Sequence, residues 1–271
     1  MVRGTATTPD EIAWNPAAGR LEASALAGVD AVVHLAGENL SAGRWTPRRK
    51  EEILRSRVGG TSLLARTLAA LPRPPRVLVS ASAIGWYGDR GDALLDEGSS
   101  AGTGFLAEVC ARWEEATEPA RAAGIRVVVL RTGVVLCAEG GALPRMAQPF
   151  RMLVGGRVGS GRQSVSWIAR DDVVGAIAHL LDADGVGGAV NLVAPGAATN
   201  AELSRAIGRA LHRPSWLPAP AFALRLAFGE MSQVVLGGAR VAPKRLLDSG
   251  YVFRHPTLDS ALQAELGHRP S

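Results

Sequence analysis

Along most of the chain, apolar residues come in short unbroken runs separated by stretches with helical spacing. The runs "DAVVHLAG" (Asp30–Gly37), "RVLVSASA" (Arg76–Ala83), "IRVVVLRTGVVL" (Ile125–Leu136) and "GAVNLVA" (Gly188–Ala194) show no polar–apolar alternation. Runs of this kind read as parallel strands covered on both faces. Between them, Thr46–Leu71, Gly102–Gly124, Asp171–Asp182 and Thr199–Arg213 carry apolar residues at helical spacing. Thr46 followed by Pro47 is a start signal, Thr199 or Asn200 opens another helix, and Gly124 is placed to end one. In the second helix Phe105, Val109, Trp113 and Ala116 share a face. Gly59–Gly60 marks an interruption or a close approach in the first. Strands alternating with helices predict an α/β protein with a doubly wound parallel sheet.

Ligands of such sheets lie beyond the carboxyl ends of the strands. That places Ala36-Gly37, Ser80-Ala81-Ser82 and Thr132-Gly133 around one crevice, three strand ends finishing in small residues. A dinucleotide-binding unit opens with a strand and a Gly-x-Gly-x-x-Gly loop leading into a helix. No such loop precedes Asp30, and "MVRGTATT" reads as the end of a second strand. The sheet is therefore predicted to lack its first β-α unit, an N-terminal truncation relative to a complete unit. That removes backbone donors for a diphosphate and leaves a sheet edge open. Residues 1–140 are expected to form this truncated dinucleotide-binding domain. Residues 141–271 form a mixed region, with 165–195 returning to the sheet and about 215–271 a smaller helical domain on the substrate side.

Composition narrows the function. The 271 residues are 47% hydrophobic and 20% charged, with net charge +5. No apolar run is long enough for a membrane span, and the polar first residues do not resemble a signal peptide. The expectation is a cytoplasmic protein without a membrane partner, its Cys110 and Cys137 reduced. Arginines are scattered, with one short cluster at Pro47–Lys50 and no basic stripe interleaved with aromatics. That argues against nucleic acid and suits an anionic small ligand. The histidines and cysteines have no metal-ligand spacing, and no Gly-x-Ser-x-Gly elbow is present. His34, in mid-strand, reads as a buried histidine.

Several stretches carry a resemblance: "VDAVVHLAGENL", "SASAIGWYGDRG", "GFLAEVCARWE", "RVVVLRTGVVL", "GGRVGSGRQSVSWIARDD", "NLVAPGAATNAEL" and "APKRLLDSGYVFRHPTLDSAL". In this order, over nearly the whole chain, they resemble the atypical extended short-chain dehydrogenases/reductases called epimerase family proteins. These are related to NAD-dependent epimerases/dehydratases and end in a domain of unknown function. The resemblance implies a Rossmann-like fold and NADP(H) as cofactor, with NAD(H) the alternative. It implies hydride transfer on a small carbonyl or hydroxyl substrate, by an oxidoreductase or epimerase-like enzyme. Arg3, ending the second strand, would meet the 2′-phosphate of the cofactor. Leu35, Ala36 and Gly37 would line the adenine side, Glu52 and Arg57 would contact the nucleotide, and Val134 would meet the nicotinamide end. Glu52 and Arg57, five apart, read from the residues alone as a solvated ion pair.

The catalytic reading is thinner. Relatives use a Tyr-x-x-x-Lys pair on the helix that here carries Phe105 and Val109 near the expected places. Phenylalanine has no hydroxyl, so that proton relay is absent. Ser82 and Tyr87 are the remaining candidates, Ser82 as a substrate contact and Tyr87 as an acid or as a packing residue. Trp167 and Asp172 belong to the segment expected to close over the cofactor, with Asp172 alternatively capping a helix. The partner is expected to be a small-molecule substrate, and a homodimer is left open. The alternative function is a non-catalytic NADP-sensing or partner-binding module, or a chain that binds no nucleotide in this form.

Overall fold

The computed structural model describes residues 1–3, 5–8 and 10–267, with Arg3 placed by its backbone. A small sheet comes first: β1 (Val2–Arg3) runs parallel to β2 (Ala13–Asn15), which turns back into β3 (Arg20–Leu21). The chain then runs through β4 (Ala31–His34), α1 (Pro47–Ala69), β5 (Val77–Ala83), β6 (Leu94–Leu95), α2 (Phe105–Glu115), α3 (Glu118–Ala122) and β7 (Arg126–Thr132). Next come β8 (Val134–Leu136), α4 (Leu143–Arg151), β9 (Ser164–Val165), β10 (Trp167–Ala169), α5 (Arg170–Asp182), β11 (Gly188–Leu192), β12 (Ala198–Thr199) and α6 (Asn200–Ala210). The last elements are α7 (Ala221–Phe228), α8 (Gln233–Leu236), β13 (Arg240–Val241), α9 (Lys244–Asp248) and α10 (Leu258–Leu266).

The main sheet has the order β11-β7-β5-β4, and every neighbouring pair is parallel. Val77 to Ser82 are all buried, which is why β5 shows no alternation. Val32, Leu78, Val127 and Val129 pack under Leu64 and Leu68 of α1 and Ala120 of α3. On the other face Val79, Val128 and Leu130 pack against Ala176 and Leu180 of α5. β4 is the edge. Its Val33, in register with the fully buried Val79, is 38% exposed, and Leu35 beyond it is 56% exposed.

Thr46 caps α1 by accepting the Arg49 N–H at 3.2 Å, with Pro47 in the first turn. The helix runs unbroken through Gly59–Gly60, so the close-approach reading holds for Gly60. A side chain there would meet the Trp14 ring at 3.5 Å. Two expected elements divide. Gly102–Gly124 becomes α2 and α3, parted where the buried Thr117 donates its hydroxyl to the Glu114 carbonyl at 2.7 Å. Ile125–Leu136 becomes β7 in the main sheet and β8 paired with β10. The division falls at Gly133, where a Cβ would lie 2.5 Å from the Ser166 carbonyl oxygen.

The later segments build their own core from α4, α6 and α10 against β8 and β10. α6 opens with Thr199 and Glu202 in a reciprocal capping box. Asp172 does not cap α5, as one reading had it. Its carboxylate accepts the N–H groups of Arg254 (2.7 Å) and His255 (2.9 Å) and the Tyr251 hydroxyl (3.0 Å). Three donors from the C-terminal segment thereby clip it to α5. Among the described residues no helix is long and apolar enough to cross a membrane.

Candidate functional site

The parallel register brings the ends of β4, β5 and β7 to one edge of the sheet: His34 lies beside Ser80, and Ser82 and Ala83 beside Arg131 and Thr132. Ala36, Ser82 and Gly133 thus stand at three adjacent strand ends. At the β4 end, His34 is buried, 3.0 Å from the Thr61 hydroxyl and edge-on to Trp14. Burial drives its pKa down to about 4, so it is neutral near pH 7. Leu35 and Gly37 are exposed and Ala36 is half-buried. A Cβ on Gly37 would come within 3.4 Å of the Arg57 guanidinium carbon.

Arg57 is the unusual group here. It is buried and lies over the Trp113 ring, 5.0 Å from its centre. It donates one long bond, 3.4 Å, to the Ile53 carbonyl, and among the described residues it makes no ion pair. Five N–H donors therefore meet one weak acceptor. Burial, the largest influence, lowers its pKa. Glu52 is not its partner. It binds Arg48 at 3.1 Å and Arg49 at 3.2 Å, and the Arg49 hydrogen bond holds its carboxyl below the ordinary range. The Arg3 side chain lies outside the described residues.

At the β5 and β7 ends Ser82, Glu114, Arg131 and Tyr87 are committed to one another, while the buried Ser80 hydroxyl and Trp86 indole N–H have no partner among the described residues. The Ser82 hydroxyl donates to Glu114 Oε1 at 2.8 Å. Arg131 binds the same carboxylate through both oxygens, at 2.9 and 3.0 Å. Its third nitrogen donates to the Tyr87 oxygen at 3.2 Å, and its guanidinium lies over the Trp86 ring, 4.0 Å from the centre. The Tyr87 hydroxyl is shared between Asn191 Oδ1 (2.7 Å) and the Asp96 carbonyl (3.0 Å). Burial, chiefly, raises the Tyr87 pKa, so it remains a neutral phenol at pH 7. Burial likewise pushes the neighbouring Cys110 thiol up to about 11, which makes it unreactive. For Arg131 burial pulls downward, but the Glu114 bonds outweigh it and leave the pKa raised.

Val134 is half-buried, beside Trp167 in the β8–β10 pair, and its N–H donates to the Ser166 carbonyl at 2.8 Å. Trp167 is buried and donates its indole N–H to the Gly196 carbonyl. Phe105, at the start of α2, offers no acid or base; its ring receives the Lys50 ammonium at 5.1 Å. An open hollow of about 770 Å³ lies between the starts of α1 and α2, lined by Lys50, Leu54, Gly104 and Phe105, and includes none of the strand-end residues.

A parallel sheet wound by helices on both faces, with small residues at three adjacent strand ends, defines the Rossmann-like class of α/β proteins. Residues 17–192 match the NAD dependent epimerase/dehydratase family, and residues 219–265 match a domain of unknown function, DUF1731. The chain belongs to the NAD dependent epimerase/dehydratase family. It is 43% identical to epimerase family protein MT2273 of Mycobacterium tuberculosis over 97% of this chain and 87% of that one. Its fold is similar to that of human epimerase family protein SDR39U1, isoform 2, crystallised with NADPH. The TM-score is 0.84 and the identity 35%, covering 91% of this chain and 86% of that one. A nucleoside-diphosphate sugar epimerase from Corynebacterium glutamicum gives a TM-score of 0.77 at 36% identity, covering 94% of this chain and 49% of that one.

Sequence reasoning passed over Glu114 and Asn191 and gave Arg131 no role, although these hold Ser82 and Tyr87 in place. One signal was available. An arginine inside the apolar run "VVVLRT" must carry a buried partner, because an isolated charge is too costly to desolvate. The partner's identity depends on the helix that packs there, which no local pattern supplies.

Proposed function

We propose that the chain binds NADP(H) across the ends of β4, β5 and β7. Leu35, Ala36, Gly37, Glu52 and Arg57 would lie on the adenosine side and Val134 at the nicotinamide end. The observation that carries this reading is Arg57: a largely buried guanidinium with no carboxylate partner among the described residues, lying directly against Gly37. Such a group is matched by an anionic ligand that approaches close to backbone. The human relative crystallised with NADPH supports the choice of cofactor.

The bound nicotinamide would supply hydride chemistry on a carbon bearing oxygen. The chain's own residues would orient the substrate and manage the proton. The Ser82 proton is already given to Glu114, so Ser82 would meet a substrate as an acceptor. Tyr87 would act by holding Arg131 and Asn191 in position.

A second reading, a non-catalytic NADP-sensing module, draws on the same commitment of the Ser82 and Tyr87 protons. Fluorescence titration of NADPH, followed by its oxidation across a panel of small aldehydes and ketones, separates the two. Saturable binding with turnover supports the oxidoreductase. Saturable binding without turnover supports the sensor, and no binding rejects both.

A further inference from the structure

Two loops, after α4 and after α6, place large apolar side chains in water. Met152, Leu153 and Val154 follow α4, and Trp216 and Leu217 follow α6; each is at least 42% exposed. The loops are neighbours, because the Gly155 carbonyl accepts the N–H groups of both Trp216 (3.1 Å) and Leu217 (3.2 Å). The chain then enters α7, eight residues long with none buried, where Phe222 and Leu226, one turn apart, are 73% and 76% exposed. Soluble surfaces scatter such residues singly, and clusters with a polar rim mark contact sites.

The rim is basic. Arg151 flanks the first loop. Arg205, Arg209, His212 and Arg213 line an open hollow of about 700 Å³ beside the second. Arg209 pairs with Asp259, whereas Arg151, Arg205 and Arg213 make no ion pair among the described residues. The described residues contain two non-glycine positions with left-handed backbone, Leu153 and His212, and they are the turns that close α4 and α6 into this surface.

The backbone decides what kind of partner fits. Met152, Leu153 and Val154 donate their N–H groups to Gln148, Phe150 and Pro149. Trp216 and Leu217 donate to Gly155, and Ala219 to Arg157. Pro214, Pro218 and Pro220 have no N–H to donate. A peptide adding to this surface would find few main-chain partners. An apolar phase, by contrast, could receive the side chains of the two loops without stranding their own N–H groups, the condition lipid imposes. Tryptophan between aliphatic residues and arginines suits the membrane–water boundary.

We propose that the loops Met152–Val154 and Trp216–Leu217, continued by α7, form a surface that docks onto anionic lipid headgroups with its apolar side chains in the outer acyl region. This departs from the expectation of no membrane partner. That expectation rested on the lack of a spanning run, and the surface assembles only in the fold.

The test is co-sedimentation of the full chain with phosphatidylcholine vesicles, with and without phosphatidylserine. The expected result is binding to the anionic vesicles, lost at high salt, with a blue shift of tryptophan emission. Trp216 reports on this directly, because Trp14, Trp45, Trp113 and Trp167 are buried and Trp86 is partly so. Trp216→Ser with Leu153→Ser lowers the partition coefficient about tenfold or more. Arg151→Glu with Arg213→Glu removes the preference for phosphatidylserine. Val252→Ser, at an 83% exposed apolar residue elsewhere, leaves binding unchanged. No binding at low salt would overturn the proposal. So would unchanged binding in the Trp216 and Leu153 variant, or light scattering showing that this surface instead joins two copies of the chain.

Discussion

The two ends of one sheet edge treat polar groups in opposite ways. At the β5 and β7 ends, Ser82, Glu114, Arg131, Tyr87 and Asn191 satisfy one another, and their geometry is fixed before any ligand arrives. At the β4 end, Arg57 is buried beside Gly37 with a single weak acceptor among the described residues. The difference separates residues that hold the scaffold from residues kept for binding. Annotation by residue type alone would reverse the assignment, since the serine and tyrosine look chemical and the helix arginine looks incidental.

The largest test of this contrast removes one side of the closed network. Glu114→Leu strands a buried arginine and is expected to lower unfolding free energy by about 3–5 kcal/mol in chemical denaturation. Adding Arg131→Met should recover most of that loss. Equal stability of the single and double variants would mean that the pair does not hold the network.

The next effect is pH-dependent and belongs to the β4 end. His34 has its folded pKa lowered to about 4 from 6.5, so the unfolded chain binds more protons between those values. Stability is then full above pH 6.5 and declines as pH falls toward 4, by about 3 kcal/mol in all. His34→Asn should flatten this part of the pH profile of the thermal midpoint; an unchanged slope would assign it to other groups.

A smaller effect sharpens the binding side. Arg57→Met is expected to weaken NADPH about 10- to 100-fold, the worth of a charged hydrogen bond, with the thermal midpoint equal or higher. A fall in stability with unchanged affinity would make Arg57 part of the scaffold and end the contrast.

The smallest is Tyr87→Phe. Losing one hydroxyl from the closed network should cost about 1–2 kcal/mol of stability, while NADPH affinity stays constant. If a substrate is found and this variant abolishes its turnover at unchanged stability, Tyr87 belongs to the chemistry instead.

The sheet and its helices were legible because burial on both faces writes itself as unbroken apolar runs, β5 being the clearest case. The Thr46 and Thr199 caps were legible because capping is local. The division at Gly133 was not: nothing in "RTGVV" says that the Ser166 carbonyl will lie against it. Asp172 reads as a possible cap of the following helix, whereas its donors lie some 80 residues further on. Arg57 emerged through family resemblance rather than pattern, because burial of a helix arginine depends on what Trp113 and Gly37 bring to it. Glu114 failed to emerge for the same reason.

The Tyr87 contacts also set an order of assembly. Its partner Asn191 lies 104 residues later, and Oε1 of Glu97 nearby accepts the N–H of Asn191 and of Arg245, 148 residues beyond it. β6 waits for β13 in the same way. A chain leaving the ribosome amino end first cannot close this region until almost the whole polypeptide has emerged. An aborted product ending before residue 240 would keep Leu95 and Tyr87 open to water and proteases, so completion of synthesis is itself read out by whether this corner of the molecule has sealed.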